Sequence, residues 1–281
     1  MKFKNLLLIS ITAIILSLTV QSRVPVVNTV SDFINYMDAR FLSLFGDGDT
    51  YYRVVKFGYN LDLDTAASED VISQGGLMTF PSSAETLGVV SSDAADDDGS
   101  TGAESVFITG ILGDGTQASE VVTLNGTSEV VTTNAYLFVN RAVVLSSGSG
   151  LKNAGTITID QTTSGAVLAS IPAGTGTTQQ INYRVPSTHR CYINDLYVSA
   201  DKLSGSSPRV TFLIKVFNTV TSNTEYIIRR ELIDTSVTDR MQFPHFKEQA
   251  LLPGEIMSIE ASTTSNDTQV SATIDMTCKK D

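Results

Sequence analysis

From Tyr51 to the end of the chain, apolar and polar positions alternate in short runs, the period expected of half-buried strands. Val54, Phe57 and Tyr59 open the series, and Val89-Val90 and residues 105–109, 121–124, 135–145 and 155–159 continue it. Between them stand Gly113-Asp114-Gly115, Asn125-Gly126 and Ser146-Ser147-Gly148-Ser149-Gly150, where Gly and Asn accept tight-turn backbone at little cost. The run from Val121 to Val131 has β-rich halves on either side of Asn125-Gly126 and predicts a hairpin. A further series covers residues 180–185, 191–200, 209–218, 225–232, 256–262 and 269–278. Within 209–217 the positions Val210, Phe212, Ile214 and Val216 are apolar and face one way. Leu213 and Phe217 break the alternation, as expected near a sandwich corner or a second contact surface.

The first fifty residues carry a different period. Val30, Phe33, Ile34, Met37, Phe41 and Leu44 recur at steps of three and four and line one face of a predicted helix, with Thr29 or Ser31 placed to cap its start and Gly46 to end it. These six residues are the expected assembly or anchoring contacts. Ahead of them, Lys2 and Lys4 precede an uncharged apolar run over 6–20, and Val20-Gln21-Ser22 offers a cleavage site, the layout of a secretory signal. As a helix that run spans roughly 22 Å, short of the roughly 30 Å hydrocarbon core. The alternative is an uncleaved apolar arm that docks into a neighbouring subunit, and both readings stand open.

The expected fold class is all-β: two consecutive β-sandwich or jelly-roll modules preceded by an N-terminal apolar arm and a short helix. The expected divisions are 1–22 (signal-like or anchoring arm), 23–50 (helical linker), 51–165 (β-sandwich module) and 166–281 (jelly-roll-like module). The boundary is placed in the Gly-, Thr- and Ala-rich, weakly charged stretch 161–176.

Charge narrows the function classes. The formal net charge is −11, from 19 basic and 30 acidic residues. Phosphate backbones and anionic headgroups repel such a chain, so no nucleic-acid partner is expected, and a membrane only if the N-terminal segment is a true signal or anchor. The two cysteines, Cys191 and Cys278, do not make a disulfide scaffold. Two separate buried thiols are the expected outcome, and pairing requires favourable strand geometry. His189 and His245 lie near turns in no metal-binding spacing, and no nucleophile elbow, phosphate loop or dinucleotide fingerprint occurs. No catalytic or cofactor-binding residue, no cofactor and no enzymatic activity are therefore expected. Asp93, Asp96, Asp97 and Asp98 are candidate calcium ligands by chemistry, but Ala95 falls where an EF-hand needs a ligand and Thr101 where it needs Gly. A solvated acidic loop is the expected form.

Several segments in order resemble a family of virion structural proteins of tailed bacteriophages, notably marine ones. They are Lys56-Phe57-Gly58-Tyr59-Asn60-Leu61-Asp62-Leu63-Asp64-Thr65-Ala66, the stretch from Gly75 to Leu87, Val89-Val90-Ser91-Ser92-Asp93-Ala94, Thr123-Leu124-Asn125-Gly126-Thr127, Phe138-Val139-Asn140-Arg141-Ala142 and Tyr183-Arg184-Val185-Pro186. The resemblance covers roughly residues 52–281, and the signal-like N-terminus departs from it. It implies a capsid decoration or head-fibre protein on the virion surface, with the major capsid protein or other virion proteins as partners. A homo-oligomer is expected, a trimer by cyclic symmetry. The alternatives are a phage tail-associated or fibre protein, and a secreted or cell-surface bacterial adhesin or glycan-binding protein.

Overall fold

The computed structural model describes residues 51–203, 207–218, 224–244 and 250–280. Every regular element among them is a strand, so the chain is all-β. In chain order the strands are β1 (Tyr51–Leu63), β2 (Glu69–Asp70), β3 (Glu85–Ser91), β4 (Ala103–Leu112), β5 (Gln117–Thr123), β6 (Val130–Ser147), β7 (Ile157–Gln161) and β8 (Val167–Ile171). There follow β9 (Tyr183–Arg184), β10 (His189–Lys202), β11 (Arg209–Asn218), β12 (Thr224–Asp234), β13 (Arg240–Pro244), β14 (Ala250–Leu251), β15 (Ile256–Thr263) and β16 (Thr268–Lys280).

Two sheets make a sandwich. One runs β1-β16-β10-β13, with β14 also on β10; the other runs β12-β11-β15-β2, with β9 also on β15. The alternation read in 209–217 is real: Val210, Phe212, Ile214 and Val216 are fully buried. They share a core with Leu196, Val198, Met257, Ile259, Ile274 and Met276. Each such side chain withdrawn from water stabilises the fold by about 1.5–3 kcal/mol. The third sheet, β5-β4-β6-β3-β7-β8, curls around a second core that includes Leu87, Ile108, Phe138, Ile157 and Leu168. The 18-residue β6 serves two neighbours, β3 along its first part and β4 along the rest. Phe217, which breaks the alternation in β11, packs on this second core, with its ring 4.7 Å from that of Phe80.

Three expectations are corrected. First, the strands are not shared out at residue 165. β1 pairs along its length with β16, from Tyr51↔Lys279 to Asn60↔Val270, and β2 pairs with β15, so the first strands belong with the last. Conversely β8, beyond the expected boundary, pairs with β7 in the curled sheet. The curled sheet is thus an insertion within the sandwich. The Gly/Thr-rich stretch misled because it mixes β8 with the return connection, and composition does not distinguish the two.

Second, Asn125-Gly126 does turn, with Gly126 at φ 57° and Ser128 N–H donating to the Asn125 carbonyl, but β5 and β6 are not partners. β4 lies between them. The Gly126 main chain is taken instead by the 91–96 segment, accepting from Ser91 N–H at 3.1 Å and donating to the Asp96 carbonyl at 2.8 Å. The hairpin forms one turn earlier, where Gly113-Asp114-Gly115 joins β4 to β5.

Third, Cys191 and Cys278 are disulfide-bonded. They occupy directly opposed positions on β10 and β16 with Cα atoms 4.0 Å apart, the close spacing of a non-hydrogen-bonded antiparallel pair. Register that no sequence pattern encodes brings them together.

One glycine fixes how the inserted chain leaves and re-enters the sandwich. Gly58 of β1 lies where the segments at Val71 and Ile181 cross, and Ile181 N–H donates to the Val71 carbonyl there. A Cβ at position 58 meets the Val71 carbonyl oxygen at 2.1 Å and the Ile181 Cβ at 2.7 Å. Gly58→Ala is therefore expected to lower unfolding free energy by about 3 kcal/mol, measured by chemical denaturation. A variant as stable as the parent refutes this crossing.

Candidate functional site

The acidic cluster is not a uniform solvated loop. Asp96 is fully buried and accepts four hydrogen bonds, from Ser91 Oγ (2.6 Å) and from the main-chain N–H groups of Ala103 (2.7 Å), Ala154 (2.7 Å) and Gly155 (2.9 Å). Burial works to raise its carboxyl, but these donors outweigh it and hold the group below the usual carboxylate range. Asp93 and Asp97 each accept one local N–H, from Ala95 and Asp98. Among the described residues no three His, Cys, Asp or Glu side chains converge as a metal site. Asp96 is a pin joining the 93–103 loop to the 153–155 turn. Beside it a cleft of about 420 Å³ is lined by Thr101, Gly102, Lys152, Asn153 and Gly174. Asn153 is committed on both sides, donating to the Gly155 and Pro172 carbonyls and accepting from Gly176 N–H.

A second polar cluster joins the sandwich to the insertion. Lys56 projects inward from β1 and donates to the Asn140 carbonyl on β6. The Asn140 side chain reads both main-chain groups of Arg184, accepting from its N–H at 2.9 Å and donating to its carbonyl at 3.0 Å. Desolvation, aided by the Arg141 charge, lowers the Lys56 ammonium from its ordinary value of 10.5 to about 7. Nearby, Asp70 accepts from Ser258 Oγ (2.6 Å) and Met78 N–H (2.8 Å), and burial lifts its carboxyl above the usual range against those bonds. Gln180 donates to the Val139 carbonyl at 3.2 Å, tying the returning chain to β6.

These polar groups on the inner side of β1 have a consequence for its outer side. Lys56, Gly58 and Asn60 are buried, so Val55, Phe57 and Leu61 face outward, 47%, 43% and 53% exposed. Among the described residues β1 is the end strand of its sheet, so this apolar row lies along one margin of it. The opposed residues on β16 are polar: Asp275 across from Val55 and Thr273 across from Phe57. Arg53 closes the row at its start, gripping Asp275 through Nε and Nη2 at 3.0 and 2.8 Å. The apolar side chains of β1 thus divide: Val54 and Leu63 pack on the sandwich core, while Val55, Phe57 and Leu61 face outward.

Of the sequence candidates, Val30, Phe33, Ile34, Met37, Phe41 and Leu44 lie outside the described residues, as do the apolar run 6–20 and His245. His189 opens β10, hydrogen-bonds Thr188 through Nδ1 at 2.9 Å and meets the Tyr52 ring edge-on at 5.2 Å. Sequence reading missed the pin at Asp96, the Lys56–Asn140–Arg184 contact and the outward row. The only advance signal was Lys56 standing between apolar residues in a strand pattern.

No protein-family model matches the chain, and no curated protein matches it. Among solved structures it is similar, at 9% identity and a TM-score of 0.15, to a chain of T=1 particles derived from infectious bursal virus, over 87% of this chain and 84% of that one. A chain of infectious bursal disease virus Gt strain gives 10% identity and a TM-score of 0.10 over 82% and 77%. At such scores the likeness carries no structural correspondence.

Two measurements check the polar clusters. Asp96→Ala strands three main-chain donors and is expected to cost about 3–5 kcal/mol, seen as a lower denaturation midpoint; an unchanged midpoint removes the pin. For Lys56, the folded chain releases the proton near pH 7 while the unfolded chain holds it to about 10.5. The unfolded state therefore binds more protons between those values, and stability rises with pH across that window, the penalty being full below it. Lys56→Met abolishes this slope. The parent is expected to gain on the variant by on the order of 4 kcal/mol between pH 7 and 10.5, and parallel stability curves contradict it.

Proposed function

We propose that the chain is a virion structural protein decorating the outside of a tailed-phage capsid, as a decoration or head-fibre protein. It acts through protein–protein contacts and performs no reaction of its own. The observation that carries this reading is the outward apolar row of β1, a contact surface on an otherwise acidic chain. Lys56, Asp70 and Asp96, the buried ionisable groups described above, are each held by backbone or side-chain partners, which suits a rigid display body better than a reaction centre. The ordered segments from Lys56 to Pro186 supply the phage resemblance. The proposed partners are the major capsid protein or other virion proteins and further copies of the chain, with a trimer as the assembly.

A second reading is favoured by a specific observation. Buried disulfides form and persist in oxidising compartments, and Cys191–Cys278 stands in a chain that opens with a signal-like segment. That combination supports an exported bacterial surface protein, an adhesin or glycan-binding module.

Mass spectrometry of purified virions separates the two. The virion reading expects the protein in many copies with Met1 or Lys2 at its N-terminus. Absence from virions, with a mature chain beginning near Arg23 in the exported fraction, replaces it with the second reading.

A further inference from the structure

We propose that the outer face of the curled sheet docks a basic segment of a partner protein and seats one of its arginines between Glu129 and Asp160. The site lies on a different sheet from the β1 row and leaves that row free. It is independent of the choice between virion and exported protein.

The pairing registers build it. Val131, Gly88, Asp160 and Val167 stand opposite one another on β6, β3, β7 and β8, one row across four strands. Their chain neighbours Leu87, Val89, Ile159 and Leu168 fill the core beneath, so this row faces outward, with Val131 50% and Val167 36% exposed. Gly88 is the notch in the row. The position a Cβ would take there lies 2.4 Å from Glu129 Oε2 and 3.0 Å from Asp160 Oδ1. Two carboxylates therefore meet over one glycine, in a row that ends in a valine on each side.

Like charges so placed repel each other, and burial together with the Glu129 charge lifts the Asp160 carboxyl above its usual range. Asp160 Oδ1 is withdrawn from solvent and accepts no hydrogen bond among the described residues, and no ion pair there reaches either carboxylate. The surroundings add to the field. Residues 71–182 hold ten acidic side chains against Arg141 and Lys152, so the insertion carries −8 of the chain's −11. The complement to this face is a cation on an apolar stem. A guanidinium meets both demands: its planar fork of N–H donors can address two carboxylates at once, and its stem covers apolar surface such as the flanking valines. A lysine ammonium supplies the charge without the fork, and a bare metal ion leaves the valines uncovered.

The probe is a fluorescein-labelled peptide alternating Arg and Val, with a control in which citrulline, neutral and of similar shape, replaces each Arg. Fluorescence anisotropy with the full chain is expected to show binding of the arginine peptide and none of the citrulline one. Asp160→Asn with Glu129→Gln is expected to weaken binding by about tenfold or more. Asp93→Asn with Asp98→Asn removes the same charge from exposed loop positions, and is expected to change it by less than about threefold. Relief of the repulsion leaves the denaturation midpoint of the first double variant at or above that of the parent, which separates a lost contact from a lost fold. Should that variant be unstable, Glu129→Gln alone, on an exposed side chain, is expected to weaken binding several-fold. Equal weakening by the two double variants reveals a diffuse acidic field and overturns the proposal, as does a parent that ignores the arginine peptide or binds both peptides alike. Displacement of the peptide by millimolar calcium chloride at constant ionic strength assigns the carboxylate pair to a metal ion and overturns it equally.

Discussion

The architecture depends on the pairing of the first described strand with the last. β1 and β16 run antiparallel from Tyr51↔Lys279 to Asn60↔Val270, and β16 is held on its other side by β10 from His189↔Lys280 to Lys202↔Thr268. The last described strand is thus clamped between the first one and a strand from the later middle of the chain. The entropy of closing so long a loop grows only with the logarithm of its length, so the curled sheet is accommodated between β2 and β9 at modest cost. What the closure does demand is order among the crossings, since chain must leave and re-enter the sandwich at one place. Gly58 marks that place: the outgoing strand has no side chain where the Val71 and Ile181 segments meet beneath it.

Crossings of this kind bring main-chain polar groups into a dry interior, and they must find partners there. The sequence supplies amide side chains for the purpose. Asn140 pairs with both main-chain groups of Arg184 as a strand neighbour does, and Gln180 reaches the Val139 carbonyl. Lys56 completes the set by donating to the Asn140 carbonyl. Burying its amine is unfavourable in itself, as the depressed proton affinity records. Polar networks of this sort specify one arrangement rather than add net stability. Here the arrangement specified is the orientation of the insertion on the sandwich, with Phe80 bridging Phe138 and Phe217 across the same junction.

Strand existence was legible because it rests on local alternation. Residues 209–218 were read with the correct bounds and inward face, and even Phe217 as the exception signalled its second contact. Pairing was not legible, because it rests on register between distant segments. Asn125-Gly126 carries the local chemistry of a hairpin, yet β4 separates the strands it joins. Cys191 and Cys278 looked like unrelated thiols until β10 and β16 set them opposite one another. Asp96 was grouped with its acidic neighbours by composition, whereas its place is decided by three main-chain donors on segments up to fifty-nine residues away. The faces of β1 belong to the same class: Val54, Phe57 and Tyr59 marked a strand, but which side turns inward is decided by the distant demand for Lys56 and Gly58 at the crossing.

The disulfide connects this geometry to the question of where the protein works. Both cysteines lie in the sandwich core with no exposed surface, Cys278 on the strand that β1 and β10 clamp together and Cys191 opposite it on β10. Oxidants reach such thiols only before the sandwich closes, so the bond state reflects the compartment in which the chain folded rather than the one it later occupies. The fold itself does not choose, since two reduced cysteines occupy the same apolar positions as small hydrophobes. Adding the bond chiefly restricts the unfolded chain. The redox state of one buried pair is therefore a record of folding history: a cytoplasmic assembly route leaves thiols, and an export route leaves the bridge.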